Sequence, residues 1–308
     1  MSLTSAFDDV NMTVADMVED PTIIQGAVQQ ALDGAFLDDL IFRRSGPNDK
    51  GVVRFRENES PYLEGEPEIV AEFGEIPLLT DGKGQWRVAV AEKRAAGIAV
   101  SYEMLKRNDV GEVDKRIKKL TRTMVRYRIS EARAAIMAAE GVGTGAAGAA
   151  WTTPGADIIG DITKAKTAIG LASLPDDKDT LFGYAADTIV MPQATLDAVM
   201  GNEKINARFT GDMAHAHPIF RGVQDFSLFG MAVAVSNFLP ANEVWVLDSE
   251  MAGFTSDWIP LEVSELYAER GNSNRGGATM AWRSDASYAR VMAVDNPKAV
   301  YKITSVNA

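Results

Sequence analysis

KRIKKLTRTMVRYRISEAR, residues Lys115–Arg133, is the stretch that decides the fold, read together with the acidic segment before it. Lys115, Arg116, Lys118, Lys119, Arg122, Arg126, Arg128 and Arg133 are opposed there by Glu131 alone. From Glu57 to Gly82 the chain instead carries Glu57, Glu59, Glu64, Glu66, Glu68, Glu72, Glu75 and Asp81, with no Lys or Arg between them. Val113, Ile117, Leu120, Met124 and Tyr127 recur at steps of three and four, which is the spacing of one apolar seam along a helix. Asp109, with Glu112 three residues on, has the spacing of a capping box. A helix is therefore expected over about 109–140, some 45 Å long at 1.5 Å per residue. A run of charge on a helix often means only a solvated face. The oppositely charged segment just upstream supports a different reading, a surface shaped for copies of the same chain.

On the N-terminal side, Gly46-Pro47-Asn48-Asp49 is a turn signal, and Val52-Val53-Arg54-Phe55-Arg56 alternates as a half-exposed strand does. Gln85-Trp86-Arg87-Val88-Ala89-Val90 is a second strand candidate beyond the acidic loop. Together they predict a long two-stranded excursion whose tip is broken by Pro61, Pro67 and Pro77. A lone hairpin is marginal in water, so this one is expected to rest on another surface. Residues 1–45 read as an arm. Pro21 opens an apolar stripe of Ile23, Ile24, Ala27, Val28, Ala31 and Leu32 at helical spacing.

On the C-terminal side, Gly141-Val142-Gly143-Thr144-Gly145-Ala146-Ala147-Gly148 reads as a flexible loop or domain boundary. A mixed α/β pattern follows. Ile158 to Ile169 is amphipathic, Thr188-Ile189-Val190-Met191-Pro192 reads strand then turn, and Met231–Val235 and Val244–Leu247 are short buried strands. Segments 261–269, 278–283, 288–294 and 299–304 are expected to be strands that close the structure.

Composition narrows the function classes. The chain has 308 residues, a net charge of −12 and no cysteine. That leaves no disulfide, no thiolate metal site and no Cys nucleophile. The acidic balance argues against general nucleic-acid binding, where Lys and Arg must neutralise phosphate. No apolar run approaches the roughly 18 residues of a membrane span, and Met1-Ser2-Leu3-Thr4 does not start as a signal peptide does. Gly143-Thr144-Gly145-Ala146-Ala147-Gly148 matches G-x-G-x-x-G literally, but it follows a helix, whereas a dinucleotide site needs it to follow a strand. His215 and His217 alternate in sequence, and two histidines fall short of the ligands a zinc site needs. No catalytic, cofactor-binding or metal residue is expected.

The order of features resembles the major capsid protein of tailed double-stranded DNA bacteriophages. Its local matches are Val70-Ala71-Glu72-Phe73-Gly74-Glu75-Ile76-Pro77, Ile98-Ala99-Val100-Ser101-Tyr102-Glu103-Met104-Leu105, Val190-Met191-Pro192-Gln193-Ala194-Thr195 and Val235-Ser236-Asn237-Phe238-Leu239-Pro240. The resemblance covers nearly the whole chain. It implies an α+β fold with an N-terminal arm (1–45), an extended E-loop (46–87) and a peripheral domain (88–155) with a long spine helix. An axial α/β domain (156–260) and strands returning to the peripheral domain (261–308) would complete it. It further implies hexamers and pentamers of one chain closing into an icosahedral shell around double-stranded DNA. A separate or already removed scaffold, a portal and decoration proteins are the implied partners, with no membrane and no cofactor. Each E-loop would lie on a neighbour, bringing Glu57, Glu59, Glu64, Glu66, Glu68, Glu72 and Glu75 toward Lys115, Arg116, Lys118, Lys119, Arg122 and Arg126. Some relatives cross-link their shells through an E-loop lysine. The 57–82 stretch has none, so no cross-link is expected. An encapsulin-type nanocompartment shares the implied fold and is the alternative reading; a soluble α/β enzyme would rest on the misplaced glycine run alone.

Overall fold

The computed structural model describes residues 12–33, 35–60, 62–65, 67–81, 84–174, 178–208, 227–269 and 275–307. In chain order the elements are α1 (Val14–Glu19), α2 (Thr22–Leu32), α3 (Asp38–Ile41), β1 (Arg43–Pro47), β2 (Val52–Glu57), β3 (Leu63–Glu64), β4 (Thr80–Asp81), β5 (Gln85–Val90), β6 (Glu92–Ser101), α4 (Tyr102–Arg107) and α5 (Val110–Ala138). There follow β7 (Gly143–Ala146), α6 (Ile158–Gly170), β8 (Thr188–Met191), α7 (Gln193–Gly201), α8 (Glu203–Arg208), β9 (Ser227–Leu228), β10 (Met231–Val235), β11 (Glu243–Leu247), β12 (Phe254–Val263), β13 (Tyr267–Ala268), β14 (Ala281–Ala293) and β15 (Val300–Thr304).

Two sheets organise these elements. In the first, β14 is central; it pairs antiparallel with β6, β12 and β13, and β1 runs parallel to β12 at the edge. The second is mixed, in the order β7-β15-β11-β8-β10-β9. Helix α5 starts where the cap spacing places it, with the Asp109 carboxylate accepting from the Glu112 N–H at 3.2 Å. Its seam of Val113, Ile117, Leu120 and Met124 is buried against α2 and the inward residues Trp282, Ala286 and Tyr288 of β14. Each such aliphatic residue contributes about 1.5–3 kcal/mol by leaving water. Tyr127 does not continue the seam and is half exposed. The buried line passes instead through Arg128, Ile129, Ala132 and Ile136, because 3.6 residues per turn shift a strict heptad around the helix.

Two expectations are corrected. Strand β15 does not return to the first sheet; it lies between β7 and β11 in the second, and its parallel partner is the Gly-rich stretch itself. That stretch is accordingly an edge strand and not a flexible linker. Its glycines make room for one ring. A Cβ on Gly143 would stand 2.5 Å from the Tyr301 ring, and one on Gly145 would stand 2.3 Å from the Tyr301 hydroxyl. The literal G-x-G-x-x-G is thus a packing motif. Gly145→Ala should lower stability by about 1–3 kcal/mol through overpacking, read as a lower urea midpoint at unchanged slope. Gly145→Ala combined with Tyr301→Ala should then cost less than the two single losses added, since the clash is gone.

Candidate intersubunit surfaces

The excursion is built on β2 and β5, paired in register from Val52 opposite Val90 to Glu57 opposite Gln85. Alternation gives the ribbon two faces. Val53, Phe55 and Ala89 turn inward onto Phe254, Ala289 and Val291, and Phe55 meets Phe254 edge to face at 5.3 Å. Polar contacts fix the base. Arg87 bridges Glu57 of β2 at 2.6 Å and Glu140, just past the end of α5, at 3.1 Å. The hydrogen bond to Glu57 and its charge hold the Arg87 guanidinium above its ordinary value. The Asn58 N–H donates to the Asp295 carbonyl at 2.8 Å. The ribbon therefore leaves the body at an angle set by the spine helix and the first sheet.

Beyond β3 and β4 the tip has no ladder of its own among the described residues, and its large apolar side chains face water. Ile69, Phe73 and Leu78 are 104%, 100% and 96% exposed, and Ile76 is also exposed. Phe73 has φ +66, a left-handed conformation that bulky residues rarely adopt. Glu68, Glu72 and Glu75 lie exposed among them. Single exposed apolar side chains are ordinary, but four large ones within ten residues of one loop are not, and such clusters mark contact surfaces.

The basic helix divides into two populations. Arg128 is buried, stacked 3.6 Å over Phe36 and paired with Asp38 of the arm. Arg133 makes a two-pronged bond to Glu243 at 2.7 and 2.9 Å, and that bond, with the Arg133 charge, holds the Glu243 carboxyl below its ordinary value. Arg116 donates to the Ala99 carbonyl at 2.5 Å, Lys115 reaches Glu112 at 3.4 Å, and Lys118 holds Asp114 at 2.7 Å. Lys119, Arg122 and Arg126 make no ion pair among the described residues. All three are exposed, as is Tyr127 beside them. Their spacing of three and four places them in one row along the solvent side of α5.

Among the acidic residues, Glu57 is 5% exposed and engaged by Arg87, and Glu59 is paired with Arg56 at 2.7 Å. Both are occupied within the chain, which leaves Glu68, Glu72 and Glu75 as the outward acids of the described tip. The Glu64 and Glu66 side chains, like His215 and His217, lie outside the described residues. Sequence reasoning missed the apolar half of the tip. The signal was present as Ile69, Phe73, Ile76 and Leu78, standing among acids with no strand or helix period to bury them. Among the described residues no group of three or more His, Cys, Asp or Glu could hold a metal ion, and no helix is long and apolar enough to cross a membrane.

The profile of the family described as phage capsid protein matches residues 87–303, from the ribbon's second strand into β15. The chain belongs to the phage capsid protein family. Solved structures show the same fold. The virus-like particle from Pyrococcus furiosus superposes with a TM-score of 0.54 at 13% identity, over 91% of this chain and 97% of that one. A Mycobacterium phage Bobi structure gives 0.51 at 18% identity over 91% and 97%, and the capsid of Myoviridae phage XM1 gives 0.50 at 12% over 84% and 88%. No curated protein matches the chain by sequence. The protein is a structural capsid protein of the virion.

Proposed function

We propose that this capsid protein closes, as hexamers and pentamers, into an icosahedral phage head around double-stranded DNA, with the E-loop of each copy lying on the peripheral domain of the next. A scaffolding protein, a portal and decoration proteins are the expected partners. The observation that carries the reading is the pair of unmatched surfaces. The tip presents Glu68, Glu72 and Glu75 among Ile69, Phe73, Ile76 and Leu78, and α5 presents Lys119, Arg122 and Arg126 beside Tyr127. The acidic, apolar tip complements the cationic, aromatic row in charge and in chemistry. A head-to-tail contact of this kind repeats around a ring and generates closed lattices. The family match favours a phage head over a nanocompartment shell.

Exposed pairs contribute only ~0–1 kcal/mol each, so the charges act as many weak, correctable contacts summed over a lattice. Reversal of the row (Lys119→Glu, Arg122→Glu, Arg126→Glu) should lower assembly yield several-fold at about 0.05 M salt and much less at about 1 M, where the Debye length is near 3 Å. Reversal of the tip acids in the same chain (Glu68→Lys, Glu72→Lys, Glu75→Lys) should restore it. Sedimentation of purified protein across a salt series is the measurement. Unchanged yield and unchanged salt dependence in the row variant would rule out the pairing.

A further inference from the structure

Asp295 and Asn296, where the chain leaves β14 for β15, tie four separate parts of the molecule together. The Asp295 carboxylate accepts from Arg43 of β1, at Oδ2 and, at 3.4 Å, at Oδ1. Its backbone carbonyl accepts the Asn58 N–H at the base of the ribbon, at 2.8 Å. The Asn296 amide donates to the Met251 carbonyl at 2.8 Å, and its Oδ1 accepts the Tyr184 hydroxyl at 3.1 Å. The arm strand, the ribbon, the loop before β12 and the segment before β8 thus meet on two residues. An open cleft of about 580 Å³ runs beside them, walled by Arg43, Arg56, Glu59, Glu250 and Met251, and gives water a way to the joint.

The charges at this joint are poorly matched. The Asp295 side chain is 12% exposed, whereas Arg43, the cation bonded to it among the described residues, is 42% exposed and screened by water. Arg56, the other cation on the cleft, is engaged by Glu59 at 2.7 Å. Glu250 faces the same cleft. The Tyr184 hydroxyl is pushed above its ordinary value by burial and then by the charges of Asp295 and Asp248, which places a further acid close by. A buried carboxylate with one screened partner and acids around it loses more hydration than its ion pair returns. In keeping with that, burial outweighs the Arg43 hydrogen bond and charge and lifts the Asp295 carboxyl above its ordinary 3.8.

We propose that Asp295 makes this joint a proton-operated clasp, tight when its carboxyl is neutral and loosened when it is charged, so that loss of one proton frees β1, the ribbon base and the 248–251 loop together. The sign follows from linkage. When the joint opens, water reaches the carboxyl, which then titrates near its ordinary value. The closed joint binds the proton more tightly, so protonation favours closure, and that stability is present in acid and lost as pH rises through the folded value. The Asp39 carboxyl responds the other way: burial pushes it up, but the Arg290 hydrogen bond and the surrounding arginines hold it below 3.8. The arm therefore has two anchors of opposite pH response, and at neutral pH the Asp295 anchor is the one that yields. The clasp belongs to the subunit and does not depend on how copies assemble.

The test is hydrogen exchange of the full, unassembled chain, read by mass spectrometry and corrected for the intrinsic rate at each pH. Measurements at about pH 4.5 and about pH 7.5 bracket a raised carboxyl. Amides of residues 43–47, 57–60 and 248–253 should be several-fold better protected at the lower pH, while the middle of β14 stays unchanged. Asp295→Asn, neutral at both values, should give equal protection at both, close to the parent's in acid. Arg43→Gln removes the counter-charge, so its response to pH should be larger than the parent's and centred at higher pH. A parent whose three segments lose protection in acid, or do not respond, would overturn the proposal, as would an Asp295→Asn protein that kept the parent's response. If Asp295→Asn did not fold, the parent and Arg43→Gln would decide, and a response in Arg43→Gln no larger than the parent's would count against the clasp.

Discussion

Asp38→Ala is expected to remove about 3–5 kcal/mol of protomer stability, the cost of leaving buried cations without their partner. Asp38 is wholly buried in the short helix α3, and its Oδ2 is shared by two guanidiniums. Arg128 comes from the spine helix and Arg290, at 2.8 Å, from the central strand of the first sheet. Arg290 also binds Asp39 at 2.7 Å and grips Asp257 of β12 with two bonds of 2.5 and 2.8 Å. Arg44 of β1 adds a contact to Asp39 at 3.1 Å. Acids and arginines from α3, β1, α5, β12 and β14 thus close one cluster, to which the arm contributes Asp38, Asp39 and Arg44. Removing Asp38 leaves Arg128 with Asp39 at 3.6 Å as its nearest remaining acid. A lower urea midpoint and faster tryptic cleavage after Arg43 and Arg44 should report the loosened arm.

Asp38→Leu combined with Arg128→Met should recover much of that loss, because a buried pair replaced by apolar residues of similar volume is often neutral or better. The Asp38 Oδ1 and Arg128 Nε atoms are buried without a partner, so removing both groups also removes two unsatisfied polar atoms. If the double variant were as unstable as Asp38→Ala, the ionic account would fail and shape alone would explain the site. Burial alone would raise the Asp39 carboxyl, but the Arg290 hydrogen bond and the charges of Arg290, Arg128 and Arg44 outweigh it and hold the group below its ordinary 3.8. A depressed folded value means that the contribution is fully present above about pH 4–5 and is lost as pH falls through the folded value. Acid should therefore loosen the arm, and Asp39→Asn should flatten that part of the stability–pH curve.

The spine helix was legible because its seam and cap are local. Val113 to Met124 repeat at helical period, and Asp109 sits where a cap must. Arg128 was not legible. The cations of Lys115–Arg133 look alike in sequence, and only the fold brings Asp38, 90 residues away, to one of them, with Phe36 beside it. The same holds for Glu57, whose partner Arg87 lies on the opposite strand of the ribbon. The Gly143–Gly148 run carried two readings at once, since glycines that free a backbone and glycines that admit a neighbour's ring are identical until Tyr301 is placed over them. The two-stranded excursion was visible as a hairpin broken by prolines. Its apolar tip was obscured by the surrounding glutamates, because Ile69, Phe73, Ile76 and Leu78 follow neither the strand nor the helix period.

Replacing Ile69, Phe73, Ile76 and Leu78 together with serine is expected to abolish shell formation while leaving the protomer's stability within about 0.5 kcal/mol, as for surface positions that contact nothing internal. The asymmetry follows from exposure. These side chains are in water in the isolated subunit, so removing them forfeits little until a neighbour would have covered them. Covering a large apolar side chain fully is worth about 1.5–3 kcal/mol, several times an exposed ion pair, and the effect should exceed that of the α5 row at any salt concentration. Phe73 sharpens the test. Held at φ +66, it carries backbone strain of roughly 1 kcal/mol or more that asparagine or glycine would relieve. Phe73→Asn should therefore raise the protomer's unfolding midpoint slightly and still impair assembly. A residue kept in an unfavourable conformation at a solvent-exposed tip makes physical sense if its ring is buried by another copy. If Phe73→Asn assembled as well as the parent, the ring would have no such role.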